Sequence, residues 1–240
     1  MNSYAIRIVL LATIVLVSEC AQSQINLNNL KKTLSGESLS TEEIGEGLKE
    51  ALTNGVSKGS DLVSQLDGYY KNPEIKIPFP PEVKQVETRL RQIGMGGEVD
   101  KFIESLNRGA EDAAKEAKPI FVSAIKQMTI QDAWGILKGE QDAATQYLER
   151  TTSPLLTDKF KPVIQNSLNK VNATKYYSDL VNTYNKIPFV QTVNPNLDDY
   201  ATEKAIQGLF VMIAKEEKNI RNNPGARTTD LLKKVFSQQQ

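Results

Sequence analysis

The chain has 240 residues, with 29 Lys and Arg against 29 Asp and Glu, one Cys and no His. Without His it lacks the commonest metal ligand and the usual general base near neutral pH. Ser-His-Asp and Cys-His chemistry are thereby excluded, and a zinc site would need carboxylates alone, so neither a metal nor a cofactor is expected. One Cys forms no internal disulfide, and acids and bases alternate without a basic face, which argues against a nucleic-acid partner.

The N-terminal stretch "MNSYAIRIVLLATIVLVSECAQSQ" carries one basic residue, Arg7, before an apolar run from Ile8 to Val17. That run is about half the ~20 residues a bilayer-spanning helix requires, and the arrangement reads as a secretory signal. Small residues at Ala21 and Ser23 place the cut after Ser23, giving a signal peptide over 1–23 and a single helical domain over 24–240. A lipoprotein is the alternative, cleaved before Cys20 and acylated there. Val17 and Ser18 suit that reading and Glu19 does not. An uncleaved anchor is the third outcome. In each case the chain is exported, and an exported chain without disulfides suits a bacterial envelope; a membrane is a partner only in the lipoprotein alternative, through its lipid anchor. The Asn172-Ala-Thr triplet has the form of a glycosylation site, and in a bacterium it is a chance match.

Along the mature chain, Ser40 and Glu43 form a capping box. The helix they open carries Ile44, Leu48, Leu52, Val56, Leu62 and Leu66 at helical spacing. Gly55 and Gly59 either interrupt it or mark close helix packing. In "NPEIKIPFPPE", Ile75, Ile77 and Phe79 alternate between prolines, which predicts an extended segment, one edge strand. "NKIPFVQTVNPN" around Ile187 is similar, and the two could pair as a small ribbon. Both follow "SDLV", at Ser60 and Ser178, but at unequal spacing, which argues against an internal repeat.

Pro81 starts a helix through Val83, Val86 and Leu90 that Gly94 ends. Glu98 starts the next, with Val99, Phe102, Ile103, Leu106 and Ala110 on one stripe. Pro119 starts a short one through Ile120, Ala124 and Met128. Thr129 and Asp132 cap a helix with the apolar face Ile130, Ala133, Trp134 and Leu137, and Gly139 stands where a left-handed terminator belongs. A helix from Gln141 to Arg150 completes a hairpin, with Ala143, Ala144, Tyr147 and Leu148 turned inward. Ser153-Pro154 reads as a cap and first helical residue, and Pro162 as a kink or break. Asn196 or Asp198 leads a long helix through Leu209 to Ile220, ended by Asn223-Pro224-Gly225. Thr228 or Thr229 caps a last helix bearing Leu231, Leu232 and Val235. Strands and helices do not alternate, so the fold class is mostly α: a single multi-helix domain with one or two short extended segments.

Four stretches invite a functional reading. "GMGGE" from Gly94 has the look of a phosphate loop, but it follows a helix and lacks the strand such a loop needs, so a helix end and restart explains it better. In "SLNRGAEDAAKEA", Asn107 and Glu111 share a helix face, as do Arg108 and Asp112, and Arg108 also reaches Glu111. These could bind a ligand, or Glu111 could donate a proton, although a structural ion-pair network accounts for the same spacing. In "MIAKEEKNIRNNPGARTTDLL", Arg221 and Arg227 could clamp a carboxylate or phosphate. An ordinary charged helix end, with Glu217 four residues before Arg221, explains that stretch as well. In the hairpin, Asp132, Asp142, Thr145 and Tyr147 either satisfy one another inside the fold or face an opening.

The run "LNRGAEDAAKEAKPIFVSAIKQMTIQDAWGILKGEQDAATQYLERTT" resembles the core of an uncharacterised bacterial family, domain-of-unknown-function family 4197. "GLKEAL", "DGYYKNPEIKIPFP" and "YATEKAIQGLFVMIAKEEKNIRNNPGARTTDLLKKVF" are similar to its flanks. The resemblance spans nearly all of the mature chain. It implies an exported helical protein of Gram-negative bacteria, periplasmic or held in the envelope, and no activity or catalytic residue.

The first functional expectation is therefore a non-enzymatic helical module that binds an envelope protein partner or a small ligand. The second is a carboxylate-based hydrolase, with or without a divalent cation. Its acid or base would be Glu111 or Asp132, since two carboxylates suffice for glycoside hydrolysis. The third is a carrier of an apolar ligand such as a lipid or quinone. A hydrolase requires two acids converging in a concavity, and a carrier requires an apolar cavity.

Overall fold

The computed structural model describes residues 40–186, 188–189 and 192–237. Residues 1–23, where a signal peptide is expected, and Cys20 among them, lie outside the described residues, as does Ile187 of the second extended stretch. The chain divides into Met1–Ser38 and Leu39–Gln240, and the described residues all belong to the second unit.

Nine α-helices make up this unit among the described residues: α1 Thr41–Val63, α2 Lys84–Gln92, α3 Gly96–Ala114, α4 Ala117–Gln127, α5 Ile130–Lys138, α6 Ala143–Asn169, α7 Ala173–Tyr184, α8 Leu197–Asn222 and α9 Asp230–Ser237. Short 3-10 turns at Pro81–Val83 and Pro224–Ala226 precede α2 and follow α8. No described residue is in a strand.

Helix α1 begins at the capping box expected of Ser40 and Glu43, each side chain bonding the other residue's backbone N–H. It runs alongside α8. A Cβ on Gly55 would meet Ile220 and one on Gly59 would meet Ile213, both at ordinary contact distance, so the two glycines mark the close-packed seam. Farther toward the N-terminus of α1, Gly47 lies directly under Leu231 and Val235 of α9. The helix stops at Val63. Leu62 and Leu66, expected on its buried stripe, are instead 41% and 75% exposed.

Helix α6 is the central strut, packed by α3, α4 and α8. Ala144, Leu148, Thr152, Leu156, Phe160, Ile164 and Leu168 are all essentially inaccessible. Residues four apart in a helix of 3.6 residues per turn overshoot a full turn by about 40°. The buried stripe therefore winds around α6, so that one helix can serve different neighbours along its length. This winding overrides the two prolines. Pro154 and Pro162 both lie inside α6, so the expected restart at Ser153-Pro154 and the break at Pro162 are corrected. Both prolines sit on the exposed side. The hydroxyls of Thr151, Thr152 and Ser153 donate to the carbonyls of Tyr147, Leu148 and Glu149, just ahead of Pro154, where a proline weakens the ladder.

The hairpin at 129–150 is present, with two adjustments. Gly139 has φ −81° and ψ −173°, extended backbone and not a left-handed terminator. Its requirement for Gly is steric, because a Cβ there would lie 2.7 Å from both Ala143 Cβ and Gly135 O. The second helix starts at Ala143 and continues to Asn169.

The first extended segment exists without a sheet. Ile75, Ile77 and Phe79 are buried, and Asn107 takes the place of a neighbouring strand. Its Oδ1 accepts from Ile77 N–H at 2.8 Å and its Nδ2 donates to Ile77 O at 2.8 Å. Asn185 pairs with Val193 in the same two-point manner, at 2.9 and 2.8 Å. The amides of Asn107 and Asn185 thus pair with extended backbone as a neighbouring strand would, and the ribbon expected of the two segments is not seen among the described residues.

Candidate functional site

On α3, Asn107, Arg108 and Glu111 grip the loop after α1. Glu111 Oε1 accepts from the backbone N–H groups of Tyr69 and Tyr70, both at 3.1 Å, and Oε2 accepts from Arg108 Nη1 at 2.7 Å. Arg108 also donates to Asp67 at 2.9 Å and Glu104 at 3.0 Å. Its guanidinium and the Lys76 ammonium lie against the Tyr70 ring, at 5.2 and 4.3 Å from the ring centre. Asp67 has φ +69°, a left-handed backbone that Asp tolerates better than most residues, and Lys71 and Arg108 hold its carboxyl below the usual range. Tyr69 is fully buried, its hydroxyl donating to Ala205 O at 2.6 Å, and burial pushes its phenol far above its ordinary value. Asp112, expected to face Arg108, pairs with Lys115.

On α8, Glu217 and Arg221 hold the hairpin. Glu217 accepts from the N–H groups of Ala144 and Thr145 at 3.0 and 2.8 Å and from the Thr145 hydroxyl at 2.8 Å. It thereby caps α6, for which the local N-cap residue Asp142 makes no capping bond, and it places a negative charge where the helix dipole favours one. Arg221 binds Glu217 through Nε and Nη2 and donates to Ile136 O at 2.8 Å, near the end of α5. The two side chains are 4% and 6% exposed. Arg227 donates to Ile220 O and Arg221 O, closing the C-terminus of α8. The two arginines are thus committed to backbone carbonyls, and the anion clamp does not form.

The four hairpin candidates do not form one cluster, although burial, and after it the nearby Asp132 carboxylate, raises the Tyr147 phenol. Asp132 is bonded to Thr129, whose hydroxyl and N–H hold its carboxyl below the usual range. Asp142 is exposed and accepts from Gln146. Thr145 is buried against Glu217, and Tyr147 is half-buried beside Arg150.

Three hollows adjoin these groups. An apolar cavity of about 20 Å³ lies between α1, α5, α6, α8 and α9 next to Glu217 and Arg221, room for about one water. It is far too small for an acyl chain or a quinone. A shallow hollow of about 410 Å³ is bounded by Leu62, Leu66, Asn72, Pro73 and Met212. A groove of about 490 Å³ runs along the α1–α8 seam between Asn54, Lys58, Glu216, Asn219, Asn223 and Leu232. None of the three is lined by two carboxylates. Among the described residues no group of three His, Cys, Asp or Glu is placed to hold a metal, and no helix is long and apolar enough to cross a membrane. The groove residues Asn54, Asn219 and Asn223 escape sequence reasoning, because only the α1–α8 register brings them together. The one local signal is the i, i+4 spacing of Asn219 and Asn223.

A family model described as "Protein of unknown function (DUF4197)" matches residues 38–237. No curated protein and no solved structure matches the chain.

Proposed function

The chain belongs to the DUF4197 family, and from that premise we propose that it is a non-catalytic binding module of a Gram-negative cell envelope, exported through residues 1–23. The observation that carries this reading is the commitment of the candidate acids. Glu111 accepts from two backbone N–H groups and an arginine, Asp132 closes a helix cap, and Asp142 faces solvent. A general acid or base needs a carboxylate within reach of a reacting atom in a concavity, and these three have other work or no concavity. The small volume of the apolar cavity beside Glu217 and Arg221, about 20 Å³, supports a surface-binding role over a carrier. The apolar run at Ile8–Val17 supports export.

The test is intact mass spectrometry of the protein recovered from the envelope fraction of its own host. A chain starting at Gln24, with a co-purifying partner or ligand, supports the reading. A mass starting at an acylated Cys20 keeps the binding module and moves it onto a membrane. Full-length protein in the cytoplasm overturns export.

A further inference from the structure

One stretch departs from the alternation of acids and bases found elsewhere. Residues 159–178 hold four lysines, Lys159, Lys161, Lys170 and Lys175, and no Asp or Glu. They cover the second half of α6, the turn at Lys170–Asn172 and the start of α7. We propose that this corner of the fold docks on a membrane surface rich in anionic phospholipid. This deepens the envelope binding-module reading by giving it a partner, and rests on it.

Charge is the first argument. Lys161 is paired with Asp198 and Asp199 across the α6–α8 contact. Lys159, Lys170 and Lys175 are exposed and make no ion pair or hydrogen bond among the described residues. Lys159 and Lys170 lie about three turns apart, on one face of α6. Lys170 is the C-cap of α6, where the helix dipole favours a cation. Lys175 is in the first turn of α7, where the dipole disfavours one, and no acid in that turn offsets it. Helix stability therefore does not account for Lys175, and its charge is complementary to an anion outside the chain.

Apolar exposure is the second argument. Val171 is 54% and Tyr176 67% exposed, each next in sequence to one of the unpaired lysines. Exposed apolar side chains standing singly are ordinary, but here two share a corner with free ammonium groups. Asn172 makes the turn between them with φ +55°, a backbone that Asn tolerates. A tyrosine ring has an apolar body and a polar tip suited to the boundary of a bilayer, and lysine stems lie along apolar surface while their heads reach into water. None of the three hollows is lined by these residues, so the corner offers a surface and not a pocket. An ammonium is a hydrated point charge without the planar fork of arginine, which suits a field of headgroups better than one positioned phosphate.

Parent and variants are purified from the host in the form it processes, and their co-sedimentation with vesicles is measured. One vesicle is phosphatidylcholine alone, the other equal parts phosphatidylcholine and phosphatidylglycerol. A contribution from the N-terminal segment, or from an acyl group on Cys20, appears with both vesicles and in every variant. The expected result is a preference for the phosphatidylglycerol vesicles that fades as salt is raised. Each lysine near an anionic surface is worth about fivefold in binding, so Lys159→Gln/Lys170→Gln/Lys175→Gln should lose at least tenfold of that preference. Val171→Ser/Tyr176→Ser should bind the same vesicles more weakly than the parent. Lys101→Gln/Lys118→Gln/Lys215→Gln, which removes equal charge elsewhere, should bind as the parent does. All these side chains are exposed, so the melting temperatures should stay together. No preference between the vesicles, or an equal loss in the control variant, overturns the proposal. So does tighter binding of polyglutamate or of a DNA oligomer than of the anionic vesicles at equal charge. If the vesicles fail while the protein from its host retains a partner at another surface, the lipid assignment falls and the binding-module reading stands. Full-length protein in the cytoplasm overturns the envelope reading whatever the vesicles show.

Discussion

Glu217 and Arg221 show what a single pair of side chains can do for the fold. Between them they satisfy two amide groups and a hydroxyl at the start of α6 and a carbonyl near the end of α5. Removing the carboxylate leaves a guanidinium that is 4% exposed without its counter-ion. Glu217→Ala is expected to cost about 3–5 kcal/mol in urea unfolding, and Glu217→Ala/Arg221→Met should recover part of that loss. A single-variant cost near zero would mean the pair is dispensable. Two glycines give a sharper contrast. A Cβ on Gly208 would sit 2.7 Å from Tyr69 Cε1 and 3.1 Å from Ile75 Cβ, whereas one on Gly45 meets nothing within 4 Å. Gly208→Ala should destabilise by about 1–3 kcal/mol, and Gly45→Ala should stabilise by about 0.5–1 kcal/mol. Equal effects at the two positions would contradict the packing described. The spacing of Asn107 with Glu111 and of Glu217 with Arg221 was readable from the sequence, because i, i+4 geometry needs only local chain. Their partners at Ile77, Tyr69, Ala144 and Ile136 were not, since each lies 30 or more residues away.

Among the elements, α6 is where local signals and tertiary packing disagree most. Ser153-Pro154 and Pro162 carry strong start and break signals, yet the helix passes through both because its winding stripe is buried from Ala144 to Leu168. The cost of a proline in a helix interior is about 3 kcal/mol relative to Ala, and here nothing in the buried stripe depends on either ring. Pro162→Ala should therefore restore the missing N–H and raise stability by about 1–3 kcal/mol. For a domain of this size that is a melting-temperature rise of about 2–4 °C per kcal/mol. A fall in melting temperature would show that the ring sets a bend the packing needs. The end of α1 failed for a related reason. Leu62 and Leu66 continue its apolar period, but the chain turns after Val63 and passes so close to it that position 68 admits only Gly, since a Cβ there would lie 2.5 Å from Val63 O. The capping boxes at Ser40 and Thr129 were legible because each is completed within three residues, and of the two caps open to the last helix, Thr228 and Thr229, Thr229 makes the bond.

For the molecule as a whole, the absence of His predicts the shape of the pH–stability curve. No side chain in residues 24–240 has an ordinary pKa between pH 5 and 8, so the melting temperature should be flat across that range. The acid limb is set by carboxylates that the fold holds below their ordinary values. These include Asp67, through Lys71 and Arg108, and Asp132, through Thr129. At Glu87, burial acts in the opposite direction, and Lys84 and Arg91 overcome it. A carboxyl whose folded pKa is depressed binds its proton less readily in the folded state than in the unfolded one. Its contribution is complete above the unfolded pKa and is lost as pH falls through the folded one. Stability should accordingly hold from pH 8 down to about 5 and decline below about 4, with Asp67→Asn and Asp132→Asn each making the acid limb shallower. Calorimetric melting from pH 3 to 8 measures this directly. The same scan tests the catalytic alternative. A carboxyl poised as a general acid has a raised pKa, and it would stabilise the fold at low pH and weaken it as pH rises through about 5–7. A melting temperature that falls over that interval would contradict the commitment of these acids to structure and reopen the case for carboxylate chemistry.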